Sequence, residues 1–136
     1  MTKRICFIGG GLQGGGQERA LVNIANYLAG LGCSVAIINL FKTEQFYSTH
    51  ERIIIYWPEV NRRKYHRLIY ALKILPYLRR KIKEFHPDVI LSFGEWFNPF
   101  VVLSTRLLHV PVFLSDRMGP TMKLDPLIQL SRKLTY

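Results

Sequence analysis

The chain has 136 residues and a formal net charge of +10, and its composition is 49% hydrophobic and 21% charged. A chain of this length forms one domain, and this apolar content excludes an intrinsically disordered protein. The longest unbroken apolar runs have five residues, against the roughly 18 that a membrane-spanning helix needs. Near the N-terminus the apolar run is also too short for a secretion signal. The two cysteines, Cys6 and Cys33, lack metal or disulfide spacing, so we expect a cytoplasmic chain with reduced thiols.

The first predicted unit is a strand, a glycine loop and a helix. A short run of β-branched and aromatic residues at 4–8 is typical of a buried parallel strand. It ends at a cluster of six glycines within positions 9–16. Apolar residues then recur at helical spacing over 20–28, and Gly30 and Gly32 indicate the end of that helix.

The rest of the chain alternates further strands and helices. Strands are predicted at 34–40, 52–56, 89–92 and 112–115, and helices over 68–85, from Asn98 onward and from Asp125 to the last residue. Pro76 should kink the helix over 68–85 or end its first half. The alternation predicts one Rossmann-like α/β domain over 1–136, a mostly parallel sheet with helices on both faces. Because the sequence stops within its last predicted helix, we expect the domain to be incomplete at that end.

Positive charge is concentrated in one segment. Nine Lys and Arg residues and no acid lie between Arg62 and Lys83, and they account for all but one of the net positive charges. The buried stripe of this predicted helix is expected at Leu68, Leu72, Leu75, Leu78, Ile82 and Phe85. A helical wheel places three cations and two aromatic residues on the other side, namely Lys73, Arg80, Lys81, Tyr70 and Tyr77. Cations and aromatic side chains on one face favour docking on an anionic membrane surface or a lipid-phosphate acceptor, with an ordinary solvated face as the alternative.

The glycine cluster is the strongest indication of a ligand site. Glycine weakens regular structure, so a cluster indicates positive φ angles or a close approach of the backbone to another group. Between a strand and a helix N-terminus, the unpaired N–H groups and the helix dipole favour an anion, most simply a phosphate or diphosphate. A flexible surface loop is the alternative. In a doubly wound sheet, ligands bind beyond the carboxyl ends of the strands, where this loop lies.

Several phosphate ligands are disfavoured by what surrounds the glycines. Three of the glycines fit the pattern G-x-G-x-x-G, but the first acid after the second strand, Glu44, already lies in the following loop. NAD and S-adenosylmethionine are therefore disfavoured, since both use an acid at the end of that strand. A P-loop requires Lys and then Ser or Thr after its last glycine, where this chain has Gln17 and Glu18. ATP hydrolysis of that type is excluded.

Taken together, three segments resemble a known enzyme family. They are GGGLQGGGQERALVNIANYL after the first strand, HPDVILSF at the fourth and PVFLSDR at the fifth, and the sequence is similar to the N-terminal half of family 4 glycosyltransferases. The similarity covers essentially the whole chain. It implies a GT-B enzyme that transfers a sugar, with retention, from a nucleotide-sugar donor to a polysaccharide or lipid-linked acceptor.

The resemblance also implies a missing partner. The family's second domain grips the nucleotide and sugar and carries two glutamates in an E-x7-E arrangement, which this sequence lacks. These 136 residues are therefore expected to be the acceptor-side domain and to be inactive until a C-terminal domain completes them. The nucleotide-sugar is a substrate, and the resemblance implies neither a cofactor nor a metal.

Only a few residues match the family's motifs one by one. The loop that approaches the donor diphosphate and the acceptor is matched by Gly14, Gly15 and Gly16. Arg19 matches the arginine of a Glu-Arg pair and is expected to contact a phosphate or to brace the loop in a salt bridge. The end of the fifth strand, Ser115, Asp116 and Arg117, matches a Ser-Glu-Arg triplet with Asp in place of Glu.

The loop after the fourth strand adds further acceptor-side candidates. Glu95 and Asn98 are placed to contact an acceptor sugar, and Trp96 is placed to stack on it. A structural role is the alternative for two of them, because Asn98 can cap the following helix and Trp96 can pack in the core. The four histidines are scattered without metal or triad spacing. No catalytic base is assigned.

Two classes of function stay open from the sequence. The first is the glycosyltransferase half, docked on the inner face of the membrane. The second is a non-catalytic Rossmann-like module that binds an anionic lipid or nucleotide through the same loop and helix. Nucleic acid is not an expected partner, because no helix-turn-helix, zinc or RNP pattern is present.

Overall fold

The structure is a computed structural model, and it describes residues 2–59, 67–93 and 98–115. Within these ranges there are five strands and three helices. The strands are β1 (Arg4–Gly9), β2 (Ser34–Asn39), β3 (Ile54–Tyr56), β4 (Val89–Phe93) and β5 (Val112–Ser115). The helices are α1 (Gly16–Gly30), α2 (Arg67–Phe85) and α3 (Asn98–Thr105). The sequence-predicted strands agree with these to within two residues, whereas the helix predicted from Asp125 lies outside the described residues.

All five strands form one parallel sheet in the order β3-β2-β1-β4-β5. From β1 the chain builds outward to β2 and β3, and α2 then carries it back to the other side of β1, where β4 and β5 follow. Strand order therefore reverses between β1 and β4, and a crevice at the carboxyl ends of these two strands is where doubly wound sheets bind ligands. The Rossmann-like α/β fold predicted from the sequence is confirmed.

Each face of the sheet has its own core because side chains alternate along a strand. On one face, buried residues of α1 such as Leu21 and Ala25 pack on Phe7 and Ile37. On the other, α2 and α3 pack on the remaining strand residues, and this cluster contains Cys6, Ile8, Ala36, Ile38, Tyr70, Ile74, Leu78, Phe85, Ile90 and Val101. Since both faces are covered, the strands read in the sequence as continuous apolar runs.

Helix α2 differs from the prediction in which stripe it buries. Leu72, expected in the core, is 68% exposed, while Tyr70 and Tyr77 are buried. Polar atoms explain the difference, because the Tyr70 hydroxyl donates to the Leu40 carbonyl oxygen and the Tyr77 hydroxyl donates to the Asn39 carbonyl oxygen at 3.2 Å. A tyrosine whose hydroxyl has an acceptor can be buried, so the N-terminal half of the helix is rotated by about one position relative to the leucine stripe. In the C-terminal half the prediction is confirmed, because Leu78, Ile82 and Phe85 are buried.

Of the two alternatives expected at Pro76, a kink or an end of the helix, the second is wrong, because α2 continues through Pro76. Proline removes one helical hydrogen bond to the carbonyl four residues earlier. Pro76 and Leu72 are both exposed, so water can satisfy the carbonyl that is left without a partner.

Arg4 joins the start of β1 to the end of α2. Its Nε and Nη2 donate to the Phe85 carbonyl oxygen at 2.9 and 2.5 Å, and the guanidinium lies 4.4 Å from the centre of the Phe85 ring. The Arg4 backbone N–H donates to Asp88 at 2.8 Å. A cation at the C-terminus of a helix satisfies unpaired carbonyls and complements the dipole, which fixes where the crossover helix rejoins the sheet.

Candidate functional site

The glycine loop lies at the carboxyl edge of the sheet, beside the reversal of strand order. Gly9 ends β1 and is in register with Asn39 of β2 on one side and with Phe93 of β4 on the other. Helix α1 begins at Gly16, with Gly15 as its N-cap in an extended conformation (φ −146°, ψ 164°). The loop therefore feeds directly into the positive end of a 15-residue helix.

The amides of this loop are available to a ligand. No side chain caps the helix at Gly15. Among the described residues, no backbone carbonyl accepts a hydrogen bond from the N–H of Gly14, Gly15 or Gly16. Gly14 and Gly16 are exposed, and a Cβ added at Gly16 would meet no atom within 4 Å. This is the arrangement in which helix N-termini bind phosphate.

The loop between β2 and β3 clasps the glycine loop, a feature that the sequence analysis missed. Thr43 Oγ1 accepts a hydrogen bond from the Leu12 N–H at 3.0 Å, and the Phe46 N–H donates to the Leu12 carbonyl oxygen at 2.8 Å. The Tyr47 hydroxyl donates to the Gly15 carbonyl oxygen at 3.3 Å. These bonds hold the glycine loop in one shape before any ligand arrives.

The clasp explains two of the glycines. A Cβ at Gly11 would lie 2.7 Å from Oγ1 of Thr43, and a Cβ at Gly14 would lie 3.2 Å from the Phe46 ring. Both positions need glycine because another side chain already fills the space beside the backbone. The contact is made by two segments of the sequence, the glycine cluster and the Thr-x-x-Phe-Tyr segment. Their spacing in the sequence does not indicate that they meet.

Glu18 and Arg19 lie on the first turn of α1. A side chain at Gly15 would collide with the Glu18 carboxylate, which folds back over the loop. An acid in the first turn complements the helix dipole. Arg19 is exposed, and none of the described carboxylates forms an ion pair with it, so the loop-bracing salt bridge is not observed and its guanidinium projects into solvent beside the loop.

The structure separates the acceptor-side candidates. Ser115 ends β5 in register with Phe93, which places it at the same sheet edge as Gly9 and two strands away, about 10 Å. Asn98 is fully buried, and its Oδ1 accepts a hydrogen bond from the Ser92 hydroxyl at 2.7 Å. Of the two roles left open for Asn98, this burial favours the structural one over contact with an acceptor sugar, and the residue joins α3 to β4. Glu95, Trp96, Asp116 and Arg117 lie outside the described residues.

The predicted cationic face of α2 is only partly correct. Lys73 and Arg80 are exposed, as expected. Lys81 is instead engaged within the molecule, with its Nζ 3.2 Å from Glu84 and 4.9 Å from the centre of the Tyr56 ring. Tyr70 and Tyr77 face the sheet for the reason given above, so the face carries no interfacial tyrosines.

Apolar side chains take the place of the tyrosines beside these cations. Leu72 is 68% exposed, and Leu103 of α3 is 41% exposed. Together with Leu75, Pro76 and Arg79 they line a groove of about 410 Å³ between α2 and α3. The outer surface of the two helices is thus apolar with a cationic border.

Burial changes the acid–base behaviour of two groups in the core between the sheet and α2. It raises the pKa of the Cys6 thiol well above its usual range, so this cysteine is an inert core residue. Burial also raises the pKa of the Tyr77 phenol, and Tyr70 adds to the shift while Arg80 opposes it. Neither group is available for acid–base chemistry near neutral pH.

Two features are absent from the part of the chain that the structure describes. Over the ranges that the structure describes, no helix is both long and apolar enough to cross a bilayer. Over the same ranges, no three His, Cys, Asp or Glu side chains are grouped so that they could bind a metal ion.

Comparison with known proteins gives related sequences and folds. The chain is 29% identical over 135 residues to the GalNAc-α-(1→4)-GalNAc-α-(1→3)-diNAcBac-PP-undecaprenol α-1,4-N-acetyl-D-galactosaminyltransferase of Campylobacter jejuni, covering 98% of this chain and 37% of that protein. Its fold is similar to that of MurG of Acinetobacter baumannii, with a TM-score of 0.62 and 22% identity, covering 96% of this chain and 39% of MurG. It is also similar to UGT2 of Phytolacca americana in complex with UDP-2-fluoro-glucose and pterostilbene, with a TM-score of 0.55 and 15% identity, covering 84% of this chain and 30% of UGT2.

The family itself follows from a match to a family model. The model of Glycosyltransferase Family 4 matches residues 14–116, which is most of the chain and runs from the glycine loop past the end of β5. Glycosyltransferases are among the fold neighbours, and their fold agrees with the Rossmann-like GT-B domain predicted from the sequence. The chain spans 37% of the length of its Campylobacter relative and corresponds to the N-terminal part of such enzymes. This chain belongs to glycosyltransferase family 4.

Proposed function

We propose that this chain is the acceptor-side half of an enzyme that transfers a sugar from a nucleotide-sugar to a lipid-linked or polysaccharide acceptor. Membership of family 4 supports the reaction class. The Campylobacter relative is named for transfer of N-acetylgalactosamine to a glycan on undecaprenyl diphosphate, which supports a lipid-linked acceptor. Bound UDP-2-fluoro-glucose in the UGT2 structure supports a nucleotide-sugar donor.

The observation that carries the proposal is the set of unbonded amides at Gly14, Gly15 and Gly16. Transfer of a sugar from a nucleotide-sugar breaks the bond between the anomeric carbon and a diphosphate oxygen, so negative charge grows on the diphosphate. Backbone N–H groups and a helix N-terminus that are already in place stabilise such charge without reorganising. The clasp by Thr43 and Tyr47 supplies that pre-organisation.

Two charged side chains beside the loop, Glu18 and Arg19, are expected to respond when the donor binds. The Glu18 carboxylate folds over Gly15, where it competes with an incoming diphosphate. We expect this side chain to swing away when the donor binds. Arg19, exposed on the same turn, is then free to contact the diphosphate in its place.

A second domain is required for transfer. The donor's nucleotide and sugar must be held in register with the acceptor before the loop can act on the diphosphate, and a single sheet edge offers one wall of such a cleft. We propose that a C-terminal domain, on the same or another polypeptide, supplies the other wall. These 136 residues alone should therefore bind ligands without transferring sugar.

We also propose that the outer surface of α2 and α3 docks on the inner face of an anionic membrane. Leu72 and Leu103 expose apolar side chains, and Lys73 and Arg80 lie beside Leu72 and Pro76 on the outward side of α2. Apolar side chains enter the interface while cations contact lipid phosphates, each cation contributing about 1 kcal/mol. Such docking would hold the glycine loop near a lipid-linked acceptor.

The proposal is tested by a transfer assay on the natural protein that contains these residues. The probes are UDP-N-acetylhexosamines as donors and an undecaprenyl diphosphate-linked N-acetylhexosamine as acceptor. The informative variant is Gly16→Leu, because a Cβ at this exposed position meets no atom within 4 Å, so bulk is added beside the loop amides from an open position. Gly30→Leu is the matched control, since Gly30 has equally open surroundings at the other end of α1.

We expect transfer by the parent protein and by Gly30→Leu, and a loss of about a hundredfold or more in Gly16→Leu, the order of magnitude for removal of one hydrogen-bond donor from an oxyanion hole. Ligand binding without transfer to any acceptor would instead support the non-catalytic anion- or lipid-binding module. Equal activity of the two leucine variants would remove the loop from the mechanism.

A further inference from the structure

An aromatic ring stands uncovered at the edge of the glycine loop. Phe46 is 71% exposed, and it lies in the loop between β2 and β3. Its ring packs on Gly14, whose Cβ, if it had one, would lie 3.2–3.4 Å from three ring carbons. One side of the ring thus rests on the loop backbone, and most of the remainder is open to solvent.

The ring is held in place, although it is exposed. The Phe46 N–H donates to the Leu12 carbonyl oxygen at 2.8 Å, which ties the backbone to the glycine loop. The Tyr47 ring lies nearly perpendicular to it, with 4.9 Å between centroids and 80° between planes. Tyr47 is itself anchored by its hydrogen bond to Gly15. A fixed aromatic surface binds with a smaller loss of conformational freedom than a mobile one.

The position of the ring suggests what it meets. Gly14 is one of the residues whose amide faces the proposed diphosphate, so the ring borders that same space. In a nucleotide-sugar the pyranose is bonded directly to the diphosphate, and the acceptor hydroxyl must reach the anomeric carbon of that sugar. Pyranose rings are therefore the groups closest to this end of the diphosphate, whereas the nucleobase lies beyond the ribose at the other end.

We propose that Phe46 is a stacking platform for a pyranose ring bound beside the glycine loop. A hexopyranose has one face made largely of C–H bonds, which carry slight positive charge and pack on the electron-rich face of an aromatic ring. The inference rests on the proposed function, and it adds a residue that positions sugar without contacting the diphosphate. The sugar can come from the donor or from the acceptor, which share this chemistry.

Nuclear magnetic resonance titration of the ¹⁵N-labelled chain tests the inference with four probes. Methyl hexopyranosides stand for the acceptor, UDP-glucose for the donor, free UDP for the donor without its sugar and inorganic pyrophosphate for the diphosphate alone. Phe46→Leu keeps an apolar contact with Gly14 but removes the aromatic face, and Phe46→Trp keeps an aromatic face. Phe113→Ala is the control, because Phe113 is similarly exposed (62%) but lies on β5.

We expect a methyl hexopyranoside, UDP-glucose or both to shift the resonances of Phe46 and Gly14. Phe46→Leu should weaken that sugar binding about three- to tenfold, the range for loss of one aromatic contact, while Phe46→Trp and Phe113→Ala should leave it within about twofold. Pyrophosphate should bind equally to all four chains. A methyl glycoside that binds shows that the platform accepts acceptor sugar, and a response to UDP-glucose alone assigns it to the donor sugar.

Three results would overturn the inference: no sugar-dependent shift at Phe46, equal sugar binding by Phe46→Leu, or a response to free UDP as large as that to UDP-glucose, which would indicate base stacking. The proposed function fails separately, if pyrophosphate leaves the amides of the glycine loop unchanged while sugars still shift Phe46.

Discussion

The guanidinium of Arg79 on α2 donates hydrogen bonds through Nη1 to the carbonyl oxygens of Arg106, at 3.0 Å, and of Ser104, at 3.3 Å. Both carbonyls belong to the C-terminal end of α3, where unpaired carbonyls gather and the helix dipole is negative. One of the nine cations in the basic segment therefore has a structural role that joins two helices. Arg4 likewise donates to a carbonyl at the end of a helix, where it joins α2 to β1.

Replacing Arg79 should loosen the packing of α3 on α2. Arg79→Met keeps the aliphatic stem but loses both hydrogen bonds, and we expect it to lower the free energy of unfolding by about 1 kcal/mol, since both groups are partly solvated. Arg80→Met, one position along and exposed, should change it by less than about 0.5 kcal/mol. Urea unfolding at one ionic strength measures both. Equal losses would mean that Arg79 acts through charge alone.

Two alanine substitutions distinguish structural from ligand-binding glycines. Gly11→Ala places a Cβ 2.7 Å from Thr43. It should lower the free energy of unfolding by about 1–3 kcal/mol, because Thr43 must move. Gly16→Ala meets no atom and replaces glycine at a helical position, so stability should be unchanged or higher by up to about 1 kcal/mol. Thermal unfolding compares them. A larger loss in Gly16→Ala would contradict the described loop geometry.

The buried Tyr77 phenol predicts a particular response to alkaline pH. Its pKa is raised in the folded chain, chiefly by burial, so the unfolded chain releases this proton first. The stabilisation is thus present below the ordinary phenol pKa of about 10 and is lost as the pH rises above it. Tyr77→Phe should lower the free energy of unfolding by about 1 kcal/mol at neutral pH, because the hydrogen bond to Asn39 is lost. It should also make the alkaline decline in that free energy shallower, because one proton fewer is released on unfolding.

Urea unfolding across a pH series checks this. Tyr27→Phe is the matched control, because Tyr27 is 68% exposed and its removal should alter neither quantity. An unchanged alkaline slope in Tyr77→Phe would show that this phenol ionises alike in the folded and unfolded chains.

Liposome co-sedimentation tests the membrane face. The double variant Lys73→Glu, Arg80→Glu should bind anionic vesicles at least about tenfold more weakly than the parent, since each cation near the surface contributes about 1 kcal/mol. Lys3→Glu, Arg52→Glu changes the net charge equally at two exposed positions outside α2 and should have the smaller effect. Equal weakening by both pairs would indicate attraction by net charge without a docking face.

Local patterns were enough to predict the sheet and the glycine loop. A strand such as 89–93 is recognised from its run of apolar residues. The cluster of six glycines is likewise recognised without any knowledge of distant residues. The orientation of α2 could not be predicted in this way. Two stripes with the same spacing compete there, and the one that is buried depends on acceptors for Tyr70 and Tyr77 in a different strand.

The candidate site divides along the same line. Gly14, Gly15 and Gly16 were found because their chemistry lies in consecutive residues. Thr43 and Tyr47 were missed because their contacts with the loop join positions 31 and 32 residues apart, and nothing in the spacing of a polar loop indicates which backbone it will meet. The role of Asn98 was left open for the opposite reason, since its partner Ser92 is close in sequence but the burial of both is a property of the packed fold.

Titration of the ¹⁵N-labelled chain with inorganic pyrophosphate measures anion binding at the glycine loop directly. We expect the largest chemical-shift changes at the amides of residues 14–17, and we expect them to disappear in Gly16→Leu while persisting in Gly30→Leu. Changes confined to the cations of α2, or no change at the glycine amides, would contradict this expectation.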